Sequence, residues 1–199
     1  MSQIPILVHM QLHFLRDFLE HIEKGVAVEW ASLGKRAENG EFEDYGDYER
    51  AMDYPLFRMD FGARAVYYEL NALLESELQS LAAPIWHSRR PQATLKQSKL
   101  RTIHDLSVGE VVELLESKYG IERNNFPGWD AYEELRRRVN AFKHRRGMRR
   151  FEDMKNNPDT GGIEIRYKAT FDEARNFLSD IKTLLDNLYA LAESKKVDA

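Results

Sequence analysis

The sequence predicts an all-α protein: an antiparallel bundle of four or five helices with long loops and at most one short strand. Three observations carry this reading. Apolar residues recur at spacings of three and four along most of the chain, two Ser/Thr-x-x-Glu boxes open helical stretches, and alternation of period two is confined to Ile163, Ile165 and Tyr167. At 199 residues the chain reads as a single helical domain, 1–199.

The elements follow in order. Residues 6–23 place Leu7, Phe14, Leu15, Phe18, Leu19 and Ile22 on one broad face, an amphipathic helix ending near Gly25, and 27–38 continue as a shorter helix. Residues 39–54 are acidic, rich in Tyr and turn-forming, and read as a surface connection. A long helix runs from about Leu56 to Ala83, stopped or kinked by Pro84. A basic loop over 87–102 follows. Ser107 with Glu110 caps a helix that closes at Gly120. The next helix spans Asp130 to Gly147, and Thr170 with Glu173 caps a last one to about Glu193, carrying Phe177, Leu178, Ile181, Leu184, Leu185 and Leu188.

Composition removes several classes of function. No apolar run approaches the length of a membrane span, and no basic flank precedes the short apolar stretch at the N-terminus; both point to a cytoplasmic protein with no membrane partner. Zero cysteines exclude disulfides, thiolate nucleophiles and Cys-ligated metals. No P-loop, GxGxxG, nucleophile elbow or HExxH occurs, and no cofactor is expected. His9, His13, Asp17 and His21 lie four apart on the first helix, a spacing that can share a metal, but they drift around a polar face among Arg16, Glu20 and Glu23, so a solvated surface is the expectation and no metal is assigned.

Charge placement is more informative than the net value of −4. Residues 135–150, LRRRVNAFKHRRGMRR, hold seven Arg and one Lys with no acid; residues 85–101 hold five bases with no acid; the rest of the chain then carries about −17. On the helix 130–146, Tyr132, Leu135, Val139 and Phe142 form the apolar stripe, while Arg137, Asn140 and His144 share the opposite side. Imidazole titrates near neutral pH, guanidinium grips phosphate and stabilises charge developing on it, and an amide can orient either, so this trio suits RNA chemistry without a metal. Arg136, Lys143, Arg145, Arg146, Arg149 and Arg150, with Arg89 and Arg90 from the second basic segment, are the expected phosphate contacts. The bland alternative is a solvated helix end whose cations favour the dipole, with Glu133 and Arg137 an ordinary surface pair.

The stretch RRRVNAFKHRRG resembles the HEPN superfamily of all-α proteins, many of them ribonucleases of toxin–antitoxin and abortive-infection defence. Their hallmark is an Arg followed, after four to six positions, by a His; here Arg138 precedes His144 by five intervening residues and Arg137 by six, and the Asn140 to His144 run, N-x-x-K-H, is also similar to HEPN-like bundles. Val139 stands where the commonest pattern has the Arg, so the arginine role stays open among Arg136, Arg137 and Arg138. The resemblance implies a four- or five-helix fold, a homodimer with two motifs facing one cleft, and metal-independent cleavage by the ribose 2′-hydroxyl. On it, His144 is the general acid/base, Arg137 or Arg138 stabilises the phosphate and Asn140 orients, with an acidic neutralising protein as a further partner. The alternative is a non-catalytic helical interaction module whose basic helix docks an acidic protein or nucleic acid.

Overall fold

The computed structural model describes residues 4–89, 102–145, 147 and 167–197. Helices α1 (Ile6–Glu38), α2 (Tyr45–Arg89), α3 (Val108–Tyr119), α4 (Trp129–Arg145) and α5 (Phe171–Val197) are joined among these residues by loops and by short 3-10 turns at Ile103–Asp105 and Arg123–Asn125. The fold is an all-α bundle, and no strand occurs among the described residues. Tyr167, the end of the expected alternating run, is irregular chain whose N–H donates to the Gly147 carbonyl at 2.9 Å; Ile163 and Ile165 lie outside the described residues.

Helix α2 is the central element and packs against α1, α3, α4 and α5. Its contacts set the directions. The Arg58–Glu29 pair and the approach of Gly62 to Ile22 run α1 antiparallel to it. Phe142 against Arg64 and Tyr67, with Tyr132 within electrostatic reach of Glu75, runs α4 antiparallel to it as well. Tyr67, Leu70, Leu74 and Leu78 of α2 meet Leu19, Leu115, Leu135, Ile181, Leu184 and Leu185 in one core of almost completely buried side chains. Each contributes about 1.5–3 kcal/mol of burial free energy.

Both expected N-caps form, that of α3 as a full capping box. The Ser107 Oγ accepts from the Glu110 N–H at 3.3 Å while Glu110 accepts from the Ser107 N–H at 2.7 Å, and Gly120 closes α3 at φ +70°. Thr170 caps α5 by accepting from the Glu173 N–H at 3.2 Å; that helix runs four residues past its expected end.

Two expected helix ends do not occur where the sequence places them. Helix α1 continues through Gly25, and the Arg58 guanidinium of α2 packs there so closely that a Cβ would come within 3.0 Å of it. Helix α2 contains both Pro55 and Pro84; Ala82 and Ile85 on either side of Pro84 are buried, and that packing outweighs the lost backbone hydrogen bond. The connection expected at 39–54 is correspondingly shorter. Its acids act locally: Glu41 pairs with Arg36, Asp44 accepts from the Asp47 N–H at 2.8 Å, and Asp47 pairs with Arg50.

The apolar face of α1 is also divided. Leu15 and Leu19 are buried together with Val8, Leu12 and Val26, whereas Leu7 is 70% and Phe14 69% exposed, on the rim of a groove between α1 and α2 near Leu73. No helix among the described residues is long and apolar enough to cross a membrane.

Candidate nucleic-acid interface

The loop before α4 determines where the basic helix lies. Gly128 adopts φ +85° with its Cα so close to α5 that a Cβ would meet the Asp180 carbonyl oxygen at 2.7 Å and Leu184 Cβ at 2.9 Å. Only glycine satisfies both the dihedral and the clearance. Trp129, Tyr132, Leu135 and Val139 are then buried, and Trp129 Nε1 donates to Glu133 at 3.3 Å. At the far end the Gly147 N–H donates to the Ala141 carbonyl at 2.9 Å, with Gly147 at φ +82°, a conformation that favours glycine. The helix ends on the glycine the sequence marks.

With that face inward, Arg137, Asn140 and His144 are exposed together along the outer strip of α4, and Arg136 and Lys143 are exposed on the flank. The Lys143 Nζ lies 5.7 Å from the ring centre of Tyr68 on α2. Arg138 differs from its neighbours. Its side chain is only 15% exposed, donates to Glu134 and Glu173 at 2.8 Å each, and lies over the rings of Tyr167 and Phe177. Burial alone would lower its pKa; the hydrogen bond to Glu134 and the charge of Glu173 more than offset that and hold it firmly protonated. Glu173 in turn accepts from the Tyr67 hydroxyl at 3.2 Å, and the burial of that phenol, before the nearby carboxylate, pushes its pKa well above the ordinary tyrosine value.

The predicted residues therefore separate. Arg137, Asn140 and His144 share one solvent-facing strip, and Arg138 faces inward as an intramolecular clamp. Arg137 pairs with Glu134, and Glu133 accepts from Trp129. Glu134 thus holds two of the three successive arginines. Arg89 and Arg145 close α2 and α4; their side chains, and the whole of Arg90, Arg146, Arg149 and Arg150, lie outside the described residues. Because α4 is antiparallel to α2, its C-terminal end meets α2 at Arg64 to Tyr68, and Arg89 lies a further 21 residues along that helix, about 30 Å at 1.5 Å per residue.

Sequence reasoning missed Arg64 and Tyr68. The Arg64 guanidinium lies 5.3 Å from the Phe142 ring centre and pairs with Asp60, whose Oδ1 accepts from the Ala169 N–H at 3.3 Å. Both residues sit in an ordinary-looking helix, and only its antiparallel contact with α4 brings Tyr68 to Lys143 and Arg64 to Phe142. On α1, His13 pairs with Asp17 at 3.5 Å; no group of three or more His, Asp or Glu suited to a metal occurs among the described residues. His104 meets Gln79 at 3.1 Å, a contact between the 3-10 turn and α2.

No protein-family model, curated protein or solved structure matches this chain.

Proposed function

We propose that the protein binds RNA through α4 and cleaves it without a metal, as the HEPN-like motif implies. The observation that carries this reading is the joint exposure of Arg137, Asn140 and His144 on one strip, flanked by Arg136 and Lys143. In the proposed reaction the ribose 2′-oxygen attacks the adjacent phosphorus while its proton passes to the His144 imidazole. The P–O5′ bond breaks, O5′ is protonated by the imidazolium, and a 2′,3′-cyclic phosphate remains. Arg137 offsets charge on the phosphate and Asn140 orients it. A homodimer with its twofold axis beside α4 would double the strip into one cleft, and a defence or toxin-like role fits such an activity.

The Glu134 clamp favours a second reading. With Glu134 in contact with both Arg137 and Arg138, α4 also suits a non-catalytic module that docks RNA or an acidic protein. Cleavage of a mixed structured RNA in EDTA, comparing the wild type with His144→Ala, separates the two. Cyclic-phosphate ends that disappear in the variant support the enzyme. RNA bound but uncut supports the module, and neither cleavage nor binding rejects both RNA readings. His144 is exposed, so the substitution leaves the fold intact.

A further inference from the structure

We propose that the α2 ridge next to α4 is a stacking platform for single-stranded RNA, with bases on Phe57 and Phe61 and a phosphate on Lys143; the proposal rests on the RNA reading of α4. Tyr54, Phe57, Phe61, Arg64 and Tyr68 follow one another at spacings of three and four and so form a single ridge along α2. Helix α4 covers its C-terminal half, where Phe142 lies against Arg64 and Lys143 against Tyr68. Helix α4 ends at Arg145, and the ridge beyond it keeps large aromatic residues in water: Phe57 is 59% and Phe61 60% exposed, with Tyr54 exposed beside them. The two phenylalanine rings are nearly parallel, 21° apart, with centres separated by 5.9 Å. Folding gains little from rings left this exposed.

Charge selects the occupant. Lys143 has no carboxylate partner among the described residues, and it stands where the aromatic ridge meets the strip of Arg137, Asn140 and His144. Asp60, next to Phe61 in the chain, is neutralised by Arg64 and also accepts the Ala169 N–H. Asp53, exposed one turn before Phe57, marks where a polyanion would leave the ridge. Flat rings next to a cationic edge suit a strand whose bases are free to stack, whereas a duplex keeps its base faces internal. Such a track would lead a single strand to His144 without reading its sequence.

The test measures binding of a short oligoadenylate carrying 2-aminopurine, and of a duplex of equal length, to the full chain. The wild type is expected to prefer the single strand and to quench the probe. Replacing both rings, Phe57→Leu with Phe61→Leu, keeps apolar bulk but removes the aromatic faces; it should weaken single-strand binding about tenfold per ring with an unchanged salt slope, and Phe→Tyr at both sites should restore it. Sedimentation should give the same oligomeric state for all variants. Equal binding by the wild type and the double Leu variant overturns the platform and leaves the RNA reading standing, provided Lys143→Ala weakens binding. A change of oligomeric state in the Leu variant also overturns it, because a second copy would then be the occupant. Absence of any RNA binding by the wild type rejects the α4 reading and the platform with it.

Discussion

Arg138→Met is the perturbation that best separates a structural arginine from a reacting one. Methionine keeps the apolar stem against Phe177 and Tyr167 but removes the charge that meets Glu134 and Glu173. Removing one member of a fully buried ion pair costs about 3–5 kcal/mol. Here Glu134 is 29% and Glu173 37% exposed, so both carboxylates regain part of their hydration in the variant. Glu173 also keeps the Tyr67 and Thr170 hydroxyls. A loss of about 2–3 kcal/mol follows, equivalent to about 5–10 °C in Tm for a chain of this length. Urea unfolding followed by helical circular dichroism and tryptophan fluorescence measures it. Adding Glu173→Gln should recover about 1 kcal/mol of the loss, because the second change removes the charge the first one stranded. A loss below about 0.5 kcal/mol, the range of an ordinary surface substitution, would refute the clamp. So would RNA cleavage abolished in a variant of unchanged stability, since Arg138 would then belong to the reaction.

Three further outcomes follow from the geometry. Gly128→Ala combines a left-handed φ with a clash against the α5 backbone and should cost about 2–4 kcal/mol, read as a fall in the urea midpoint at constant slope. The Tyr67, Tyr132 and Tyr189 phenols are pushed above their ordinary pKa first of all by burial, so they should remain protonated while exposed tyrosines ionise in a titration followed by ultraviolet absorbance. Their raised folded pKa means that the associated stability is complete below about pH 10 and lost as the pH climbs toward the folded values, giving alkaline unfolding with late tyrosine ionisation. The hydrogen bond from Arg123 holds the Glu116 carboxyl below its usual range, so its contribution is present above about pH 4.3 and fades as acid protonates it; Glu116→Gln should lower stability at neutral pH and converge with the wild type in acid, and a constant gap across that window would contradict the pairing.

Local chemistry made much of the fold legible. Ser107 with Glu110, Thr170 with Glu173, Gly120 and Gly147 each work through atoms within a few residues of themselves, and each occupies the role its sequence position announces. The apolar positions of α5 were equally readable, since 3.6-residue periodicity is a property of the helix alone. Gly25 and Pro84 were not, because whether a helix runs on past a glycine or a proline depends on the packing of neighbours such as Val26, Ala82 and Ile85, and that burial belongs to the partner helices. For the same reason the broad apolar arc of α1 could not be divided into a buried half around Leu19 and an exposed half around Leu7 and Phe14.

Helical periodicity alone establishes that the chain is helical, that a basic helix carries Arg137, Asn140 and His144 on one side, and that this side faces away from the apolar stripe, because helical geometry relates residues a few positions apart. The tertiary structure decided what lies across from that helix. It turned Arg138 inward onto Glu173, placed Tyr68 beside Lys143 and Arg64 against Phe142, and left Phe57 and Phe61 exposed. Those relations join residues far apart in the chain through packing, and only the folded arrangement of helices specifies them.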